Sequence, residues 1–416
     1  MINSERLLQH LDELAGIGAT AGGGVCRLAA SAEDGRARDW FVARLREEGL
    51  RVSIDAVGNI YGVAELAGSD APLVLTGSHL DSQPSGGRYD GAYGVMGSLE
   101  AVLAVRARGA KAACNLAVVN WTNEEGARFS PSTLGSAVHA GLVTTEFAQS
   151  RLDGAGVSLG DALAQIGYRG SDAPPRGVTS YVELHIEQGP ELERAGRTIG
   201  VVEGNWGTAK YVADIHGRAA HTGPTPMNER RDALLPAAEL VLFCRKLSDE
   251  TGGALLSAVG RLDVLPNSTN VVAAQARLFA EFRAEEAAML DAACARLEAR
   301  ARELSTAAVP IELVRTVDRK AGKFDPALRD LIERTAGECG FSSMRLSTIA
   351  GHDAVPMRAA CPSAMVFVPS AGGVSHHESE FTRPDDLVAG ANVLAATLEK
   401  LVRGQTPNPP LRVRPL

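Results

Sequence analysis

Four short apolar runs constrain the fold of this chain more than any other feature of its sequence. They span residues 73–76, 116–121, 181–184 and 364–368. Uninterrupted apolar runs of this length are typical of strands that are buried on both faces of a parallel sheet. Helical patterns, such as the one over residues 94–108, separate several of them. The alternation predicts an α/β sheet with helices covering both of its faces.

A segment between the third and fourth runs has a different pattern. Its strand-like and helical stretches follow the order β-α-β-β-α-β, at residues 210–215, 231–247, 254–264, 270–283, 285–305 and 309–314. This order is that of a split βαβ, ferredoxin-like unit. In its first helix we expect an apolar side formed by Leu234, Leu235, Ala238 and Val241 or Leu242. The sequence therefore predicts a small domain at residues 207–318, inserted into a larger domain formed by residues 1–206 and 319–416.

The composition excludes several classes of partner. A net charge of −8 and a pI near 5.7 argue against nucleic acid or an anionic membrane as a main partner. No run approaches the roughly 18 apolar residues that a membrane helix needs. The first residues lack the regions of a signal peptide; Leu7, Leu8, Leu11 and Leu14 instead have helical spacing behind Ser4, a candidate N-cap. We therefore expect a cytoplasmic protein with no membrane partner.

The six cysteines include no Cys-x-x-Cys pair. Because a chain of 416 residues buries a core large enough to fold without disulfide bonds, we expect buried free thiols. No local motif supports a catalytic cysteine. The proline-rich tail at residues 405–416 is expected to have no regular structure.

Each of the four apolar runs is followed by side chains that are suited to binding metal ions. The clusters contain His79, Asp81 and Asp90; Glu124 and Glu125; Glu183, His185 and Glu187; and His376, His377 and Glu378. In open α/β sheets ligands bind at the carboxyl ends of the strands, so the clusters are predicted to meet at one edge. One such residue alone is usually an ordinary loop residue, but four such clusters are not expected by chance. Imidazole and carboxylate ligands suit Zn²⁺, and also Mn²⁺, Co²⁺ or Ni²⁺, and their number favours two ions about 3.5–4 Å apart.

The adjacent carboxylates Glu124 and Glu125 indicate a division of roles. Neighbouring side chains on an extended strand end point in opposite directions, so one carboxylate would bind metal while the other faces a metal-bound water. A free carboxylate in that position takes the proton of the water as a general base. The alternative is a solvated acidic loop, but Trp121 and Phe129 flank the pair and favour partial burial.

His79 and Asp81 form a second local pair. Because they are two residues apart on a segment that is predicted to be extended, both side chains lie on the same face. The Asp81 carboxylate would accept a hydrogen bond from the ring nitrogen of His79 that does not bind metal. The alternative is an unrelated surface aspartate.

Seven motifs distributed along the chain form a recognisable set. They are Gly-Ser-His-Leu-Asp-Ser-Gln-Pro at 77–84, Gly-Gly-Arg-Tyr-Asp-Gly at 86–91, Trp-Thr-Asn-Glu-Glu-Gly-Ala-Arg-Phe at 121–129, His-Ile-Glu-Gln-Gly-Pro at 185–190, Ala-His-Thr-Gly-Pro-Thr-Pro-Met at 220–227, Pro-Asn-Ser-Thr-Asn at 266–270 and Gly-His-Asp-Ala at 351–354. Together they resemble the hydantoinase/carbamoylase amidases of the two-metal aminoacylase and carboxypeptidase superfamily, from the N-terminal helix to about residue 402. The resemblance implies an α/β fold with a metallopeptidase-like mixed sheet covered by helices, and an inserted ferredoxin-like domain that serves as lid and dimerisation domain.

The resemblance also implies roles for the residues that follow the strands. The metal ligands would be His79, Asp90 and His185 for one ion and Glu125 and His376 for the second, to which Asp90 would bridge. Glu124 would be the general base, and Asp81 would support His79. His185 indicates the amidase branch, because peptidase relatives carry a carboxylate at that position.

Further residues are implied to contact the substrate. His221 would stabilise the oxyanion, either in the active site of the partner subunit or after lid closure. Asn270 and Arg283 would bind the substrate carboxylate, which a planar guanidinium grips at two points. Other contacts would come from Gln188, Gly351 and His352. Without the resemblance, His221 would be interpreted as a turn residue, Arg283 as a surface charge and Asn270 as a turn cap.

Three positions depart from the family pattern. His377 follows the metal histidine where relatives carry a small polar residue or proline, so it competes with His376, which we prefer because it follows the Gly-Gly-x-Ser frame. Ile349 replaces a glycine, and Trp206 replaces a glutamine. The last two changes bear on the identity of the substrate and not on the chemistry.

These features predict a binuclear metal-dependent amidohydrolase that acts on linear amides. The expected substrate is an N-carbamoyl-L-amino acid, which would yield an L-amino acid, ammonia and carbon dioxide; allantoate and N-carbamoyl-β-alanine are alternatives for the same chemistry. A non-catalytic metal-binding homologue is an alternative of a different class, and the complete set of base and ligands argues against it. The expected partners are a small ureido or amide substrate with a carboxylate and a second copy of the chain, bound through the inserted domain.

Overall fold

The computed structural model describes residues 1–109 and 111–404, so the predicted irregular tail at 405–416 lies outside the described residues. The chain divides into two compact units. Unit 1 comprises Met1–Glu203 and Phe324–Leu416, and unit 2 comprises Gly204–Lys323. Unit 2 spans the segment that carries the β-α-β-β-α-β pattern.

The helices and strands are numbered in chain order. The strands are β1 (Arg51–Ile54), β2 (Ile60–Ala64), β3 (Leu73–His79), β4 (Asn115–Trp121), β5 (Val178–Ile186), β6 (Ile199–Asn205), β7 (Gly207–His216), β8 (Ala220–His221), β9 (Leu255–Leu265), β10 (Val271–Val272), β11 (Gln275–Ala284), β12 (Ile311–Arg319), β13 (Gly322–Lys323), β14 (Ser343–Thr348) and β15 (Ser363–Val368). The helices are α1 (Ser4–Ala15), α2 (Ala32–Glu47), α3 (Ala92–Ala107), α4 (Leu134–His139), α5 (Thr145–Gln149), α6 (Leu159–Gln165), α7 (Glu191–Ala195), α8 (Leu234–Asp249), α9 (Ala287–Leu304), α10 (Pro326–Glu338), α11 (Ala354–Met357) and α12 (Pro384–Val402), with 3₁₀ turns at Met227–Glu229 and Ala371–Gly373.

A nine-stranded mixed sheet carries the four apolar runs. Its order is β1-β2-β4-β3-β5-β15-β6-β13, with β14 also paired to β6. The four predicted strands are adjacent and mutually parallel, β4 with β3, β3 with β5, and β5 with β15. The pairs β1–β2, β2–β4 and β15–β6 are antiparallel. The predicted α/β class with a helix-covered mixed sheet is confirmed, and the carboxyl ends of four parallel strands lie at one edge.

Helices α3 and α12 pack beside the parallel strands and against each other, and both are buried over most of their length. At the N-terminus, α1 buries Leu7, Leu11 and Leu14, as their spacing predicts, and Leu8 is half-buried. The helix cap differs from the prediction. The side chain of Asn3, and not that of Ser4, accepts the N–H of Arg6 at 3.0 Å, because Ser4 already lies inside the helix.

Unit 2 contains a four-stranded antiparallel sheet with two helices. The elements follow the order β7-α8-β9-β11-α9-β12, and the strands lie in the order β12-β7-β11-β9. All three pairings are antiparallel. Both helices contribute to one apolar core with the inner faces of β7 and β11. This is the split βαβ order that the sequence of the segment indicates.

The apolar side predicted for α8 is wrong for its leucines, whereas Val241 is half-buried against the core of unit 2. Leu235 and Leu242 are 62% and 71% exposed. The buried residues of the helix are Ala237, Leu240, Cys244 and Leu247. Leu235, Ala238 and Leu242 have spacings of three and four residues, as the buried set does, so periodicity alone admits either side of the helix.

The six cysteines are free thiols, as expected. Cys244, Cys294 and Cys361 are buried, whereas Cys339 is exposed, so the expectation of burial holds for only part of the set. Among the described residues, no helix is long and apolar enough to cross a bilayer.

Candidate metal centre and active site

The candidate centre is built at the carboxyl ends of the four parallel strands. His79 is the last residue of β3, and His185 lies next to the end of β5. Both histidines are almost fully buried, at 2% and 1% exposure. Because the strands that carry them are buried on both faces, their side chains are held rigidly at the edge of the sheet.

Two groups of three potential ligands meet there and share Asp90. The first group is His79, Asp90 and His185, and the second is Asp90, Glu125 and His376. Within each group the ligand atoms lie within 4.8 Å of one another. Oδ1 of Asp90 is 3.2 Å from Nε2 of His185, and Oδ2 is 3.3 Å from Nε2 of His376. The two oxygens of Asp90 therefore face different groups, which is the arrangement that a bridging carboxylate requires.

The surroundings of Asp90 fit a bound cation. Its Oδ1 atom is buried and lies 3.2 Å from Nε2 of His185 and 3.7 Å from Nε2 of His79, so a carboxylate oxygen and two imidazole nitrogens face one another here. Gly91 follows with a φ of 65°, and a Cβ atom at this position would overlap the ring of His79. Glycine therefore lets the Asp90 loop approach the imidazole. Nitrogen and carboxylate oxygen donors in these numbers suit two divalent ions.

Backbone carbonyls fix the orientation of both buried imidazoles. Nδ1 of His79 lies 2.8 Å from the carbonyl oxygen of Asp81, and Nδ1 of His185 lies 2.8 Å from that of Ile186. With Nδ1 donating to these carbonyls, Nε2 of each ring is left to face Asp90. The predicted hydrogen bond from His79 to the Asp81 carboxylate is wrong: Oδ1 of Asp81 is 3.9 Å away.

The Asp81 carboxylate has a different partner. It accepts the backbone N–H groups of Glu124 and Glu125 at 3.1 and 3.2 Å. β3 ends at His79, so Asp81 lies outside the strand and the alternation of strand side chains does not apply to it. Asp81 thus holds the backbone of the Glu124–Glu125 pair rather than the imidazole of His79.

The pair Glu124–Glu125 lies in a turn beyond β4 and not on an extended strand end. Asn123 precedes it with a φ of 57°, and its side chain donates to the carbonyl of Phe129. Glu124 is 6% exposed, and its Oε2 lies 3.6 Å from Nε2 of His79. Glu125 points to the second group, with Oε2 at 3.4 Å from Nε2 of His376. The two carboxylates therefore face different ligand groups, as the sequence indicates. The turn after β4, and not the alternation of an extended strand, points them in different directions.

Buried negative charge dominates the centre. Burial, followed by the neighbouring carboxylates Asp353 and Glu125, raises the pKa of Glu124 well above its ordinary value. Burial and the adjacent Asp90 raise the pKa of Glu125 to about 8. Burial alone would also raise the pKa of Asp90, but hydrogen bonds from His185 and His376 outweigh it and hold that pKa well below its ordinary value. Divalent cations would offset this repulsion between carboxylates.

The imidazoles differ in how readily they lose a proton. Burial lowers the pKa of His79 to about 4, so its Nε2 lone pair is available at neutral pH. For His185, burial is outweighed by the bond to Asp90, which raises the pKa to about 9. The bond to Asp90 likewise raises the pKa of His376 to about 9. A cation that binds at these two rings must therefore displace protons.

Several other predicted residues of unit 1 also lie at this edge. Gln188 donates from Nε2 to Oδ2 of Asp90 at 2.9 Å. The ring of His352, which follows Gly351, packs against that of His185 with 4.6 Å between centroids, and its Nε2 is 3.0 Å from Oγ1 of Thr348. His377 is exposed and contacts Ser379 instead. Of the two adjacent histidines, His376 is the one that the structure brings to the ligand groups.

Three predicted residues belong to unit 2. His221 on β8 pairs with Val271 on β10, directly after Asn270, and the N–H of Thr222 donates to the Asn270 carbonyl at 3.2 Å. Nδ1 of His221 accepts the N–H of Gly223 at 3.0 Å. In the neutral ring the proton is then on Nε2, which makes Nε2 a donor. Arg283 lies on β11, where its Nε donates to Glu281.

Sequence reasoning gave no role to two buried carboxylates: Glu183, which it named in the cluster around His185, and Glu380, which it did not name. Glu183 on β5 forms a third potential ligand group with His185 and His352. Glu380 is 3% exposed and contacts the loop that carries Asp90. A signal for Glu183 existed, because it stands in the polar run around His185. Glu380 stands in the loop of His376, but two of its partners, the N–H groups of Tyr89 and Asp90, are distant in sequence.

Known proteins resemble the chain over most of its length. The family described as Peptidase family M20/M25/M40 matches residues 75–400. A Mycolicibacterium smegmatis protein named as a hydrolase is 43% identical over 404 residues, which is 94% of this chain and 92% of that protein. The N-carbamoyl-L-amino-acid amidohydrolase of Rhizobium meliloti is 38% identical over 397 residues, covering 94% and 95% of the two chains. The allantoate amidohydrolase of Bacillus subtilis is 32% identical over 418 residues, covering 95% and 97%.

Solved structures agree with the sequence matches. The crystal structure of a hydantoinase/carbamoylase family amidase from Burkholderia vietnamiensis has a TM-score of 0.89 to this chain at 39% identity, covering 97% of this chain and 98% of that one. The resemblance found in the seven sequence motifs is thereby confirmed. The chain belongs to peptidase family M20/M25/M40 and, within it, to the hydantoinase/carbamoylase amidases, which are hydrolases.

Proposed function

We propose that the protein hydrolyses the ureido C–N bond of an N-carbamoyl-L-amino acid to give the L-amino acid, ammonia and carbon dioxide. The observation that carries the proposal is the position of the buried carboxylate of Glu124, a proton acceptor, beside two ligand groups that share Asp90. The Rhizobium meliloti relative, which is named for this reaction, supports the choice of substrate.

We also propose that the two ligand groups hold two divalent cations. Zn²⁺ is the expected ion, and Mn²⁺, Co²⁺ and Ni²⁺ are the alternatives. One group would be His79, Asp90 and His185, and the other Asp90, Glu125 and His376. When bound there, the cations supply Lewis acidity towards a carbonyl oxygen and a water molecule.

The side chains of the protein perform the proton transfers and the positioning. Glu124 accepts a proton from the attacking water as the new C–O bond forms at the carbamoyl carbon. It returns that proton to the leaving nitrogen as the first C–N bond breaks. The carbamic acid that remains then loses carbon dioxide, which frees the second nitrogen. His221, whose Nε2 is a donor in its neutral form, would stabilise the oxyanion. Asn270 and Arg283 would bind the carboxylate of the substrate.

A substrate panel tests this assignment. We expect kcat/KM for N-carbamoyl-L-amino acids to exceed the value for allantoate and N-carbamoyl-β-alanine by at least about tenfold. This ratio corresponds to a difference of about 1.4 kcal/mol in transition-state binding. Ammonia release from the metal-reconstituted protein is the measurement, with N-carbamoyl-D-amino acids as the stereochemical control. A preference for allantoate would replace the proposed substrate by the first alternative. Activity on acylated amino acids or dipeptides alone would refute ureido hydrolysis.

We propose in addition that the protein forms a homodimer through unit 2. Leu235 and Leu242 are exposed on α8, and β9 is an edge strand of the four-stranded sheet. An exposed apolar helix side next to an open strand edge is typical of an interface.

The double substitution Leu235→Glu/Leu242→Glu is expected to convert the dimer to a monomer of about half the mass, because two buried carboxylates without partners oppose association. Light scattering after size exclusion measures the mass. Leu142→Glu is the control, since Leu142 is 56% exposed in unit 1. A variant that stays dimeric would contradict the proposed interface.

A further inference from the structure

Glu380 is a buried carboxylate that the proposed reaction does not use. Its Oε1 accepts the backbone N–H groups of Tyr89 and Asp90, both at 3.0 Å. Its Oε2 accepts the hydroxyl of Ser375 at 2.9 Å. One side chain therefore joins the loop that carries Asp90 to the loop that carries His376.

The loop around His376 depends on such support. His376 has a φ of 54°, in the left-handed region that residues other than glycine rarely adopt. A residue keeps this conformation only when its surroundings over-determine it. Ser375, directly before it, is bonded to the Glu380 carboxylate, and the N–H of Glu380 donates to the carbonyl of His377 at 3.0 Å and closes the turn after it. Glu380 thus restrains His376 from both sides.

The Glu380 carboxylate also packs closely against the loop that carries Asp90. A Cβ atom at Gly87 would overlap the carboxylate of Glu380, so a glycine is needed for this approach. Both N–H groups belong to successive residues and donate to the same carboxylate oxygen. These bonds fix the backbone from which the Asp90 carboxylate projects towards His376.

We propose that Glu380 is a positioning residue that sets the carboxylate of Asp90 relative to the imidazole of His376, and thereby the affinity of the second cation site. The proposal rests on the proposed function, because it takes Asp90, Glu125 and His376 as the ligands of a cation. Glu380 belongs to neither ligand group and acts through the two loops that it joins.

Titration of the metal-free protein with Co²⁺ tests the proposal without any turnover. Calorimetry and the visible absorption of Co²⁺ resolve the affinity of each site and the geometry of its ligands. We expect Glu380→Ala to weaken the second site by about 10–100-fold, the usual effect of removing a group that orients metal ligands. Glu380→Gln should retain most of the affinity, because its amide oxygen still accepts the two N–H groups and its amide nitrogen donates to Ser375.

Asn115→Ala is the matched structural control. The Asn115 side-chain oxygen also accepts two successive N–H groups, from Leu66 and Ala67 at 2.8 and 2.9 Å, but at the start of β4, the end of the strand away from the candidate centre. This variant should lower the melting temperature and leave both Co²⁺ affinities unchanged.

The outcomes separate this inference from the proposed function. Wild-type protein that binds fewer than two Co²⁺ ions would overturn the proposed function itself. Two ions in the wild type and an unchanged second site in Glu380→Ala would overturn the positioning role alone. Equal losses of Co²⁺ affinity in Glu380→Ala and Glu380→Gln would also overturn it, because they would show that the charge of Glu380, and not its hydrogen bonds, sets the affinity. If Glu380→Ala does not fold, Ser375→Ala should still weaken the second site by a smaller factor, and an unchanged affinity there would contradict the proposal.

Discussion

Replacing Glu124 with glutamine should lower kcat by about 10²–10⁴-fold while the protein keeps both metal ions. Glutamine has the shape of glutamate but accepts no proton at neutral pH, so the variant removes the proposed base and little else. Glu124 lies outside both ligand groups that share Asp90. Ammonia release and metal content, measured on the same preparation, are the two readouts.

The neighbouring position supplies the control. Glu125→Gln removes a carboxylate of the second group, whose Oε2 lies 3.4 Å from Nε2 of His376. We expect this variant to lose one ion as well as activity. A Glu124→Gln enzyme with more than about a tenth of the wild-type kcat would contradict the proposed base, because general base catalysis contributes at least 10²-fold. Loss of an ion from Glu124→Gln would instead make Glu124 a ligand.

Stability gives an independent readout for the metal-free variant. The pKa of Glu124 in the folded protein is well above its ordinary value because of burial and neighbouring carboxylates, Asp353 first among them. The folded state then binds this proton more tightly than the unfolded state, so the group costs stability once the pH exceeds its unfolded pKa. Glutamine removes that cost. Metal-free Glu124→Gln should therefore melt at a higher temperature than the metal-free wild type at neutral pH.

The sequence predicts that the polar clusters meet because each of them follows an apolar run that is recognisable as a buried strand, whereas the individual ligands are implied by the family resemblance. His79 ends β3 and His185 lies near the end of β5, and parallel pairing alone brings them together. The choice of His376 over His377 rests on the Gly-Gly-x-Ser frame, and of these two residues the structure brings His376 to a candidate ligand group. Its binding of a cation stays a prediction.

Other features depend on contacts that no local pattern records. Asp81 lies beyond the last residue of β3, so the alternation of a strand does not apply to it, and its carboxylate reaches the backbone of Glu124 instead of His79. On α8, two apolar sets share the same helical spacing, and the sheet of unit 2 decides which is buried. Glu380 acts on N–H groups of the Asp90 loop, from a loop near the other end of the chain. Contacts of this kind depend on the tertiary structure and cannot be predicted from a local sequence pattern.

Replacing Asp90 with asparagine should abolish activity by removing both cations and not one. Each oxygen of Asp90 faces a different ligand group, at 3.2 Å from Nε2 of His185 and 3.3 Å from Nε2 of His376. Asparagine offers one oxygen and an amide nitrogen that has no lone pair to donate. We expect the affinity for Co²⁺ or Zn²⁺ to fall on the order of 10²-fold or more at both sites, above the 10–100-fold of a residue that only orients ligands. His376→Asn, which removes a ligand of one group, should lose a single ion.

The metal-free form of Asp90→Asn separates the bridging role from general damage, because its stability should change in the direction opposite to that of Glu124→Gln. Although burial opposes ionisation of Asp90, hydrogen bonds from His185 and His376 hold its pKa well below the ordinary value. A depressed pKa contributes stability above the unfolded pKa of the carboxyl and loses it as the pH falls through the folded pKa, so the contribution is fully present at neutral pH. Asparagine removes it and leaves both imidazoles without their counter-charge. Calorimetry at neutral pH should thus show that metal-free Asp90→Asn melts below the wild type and that metal-free Glu124→Gln melts above it. A shift of both variants in the same direction would contradict the assignment of charges in the centre. Retention of two ions by Asp90→Asn would contradict the bridging role of Asp90.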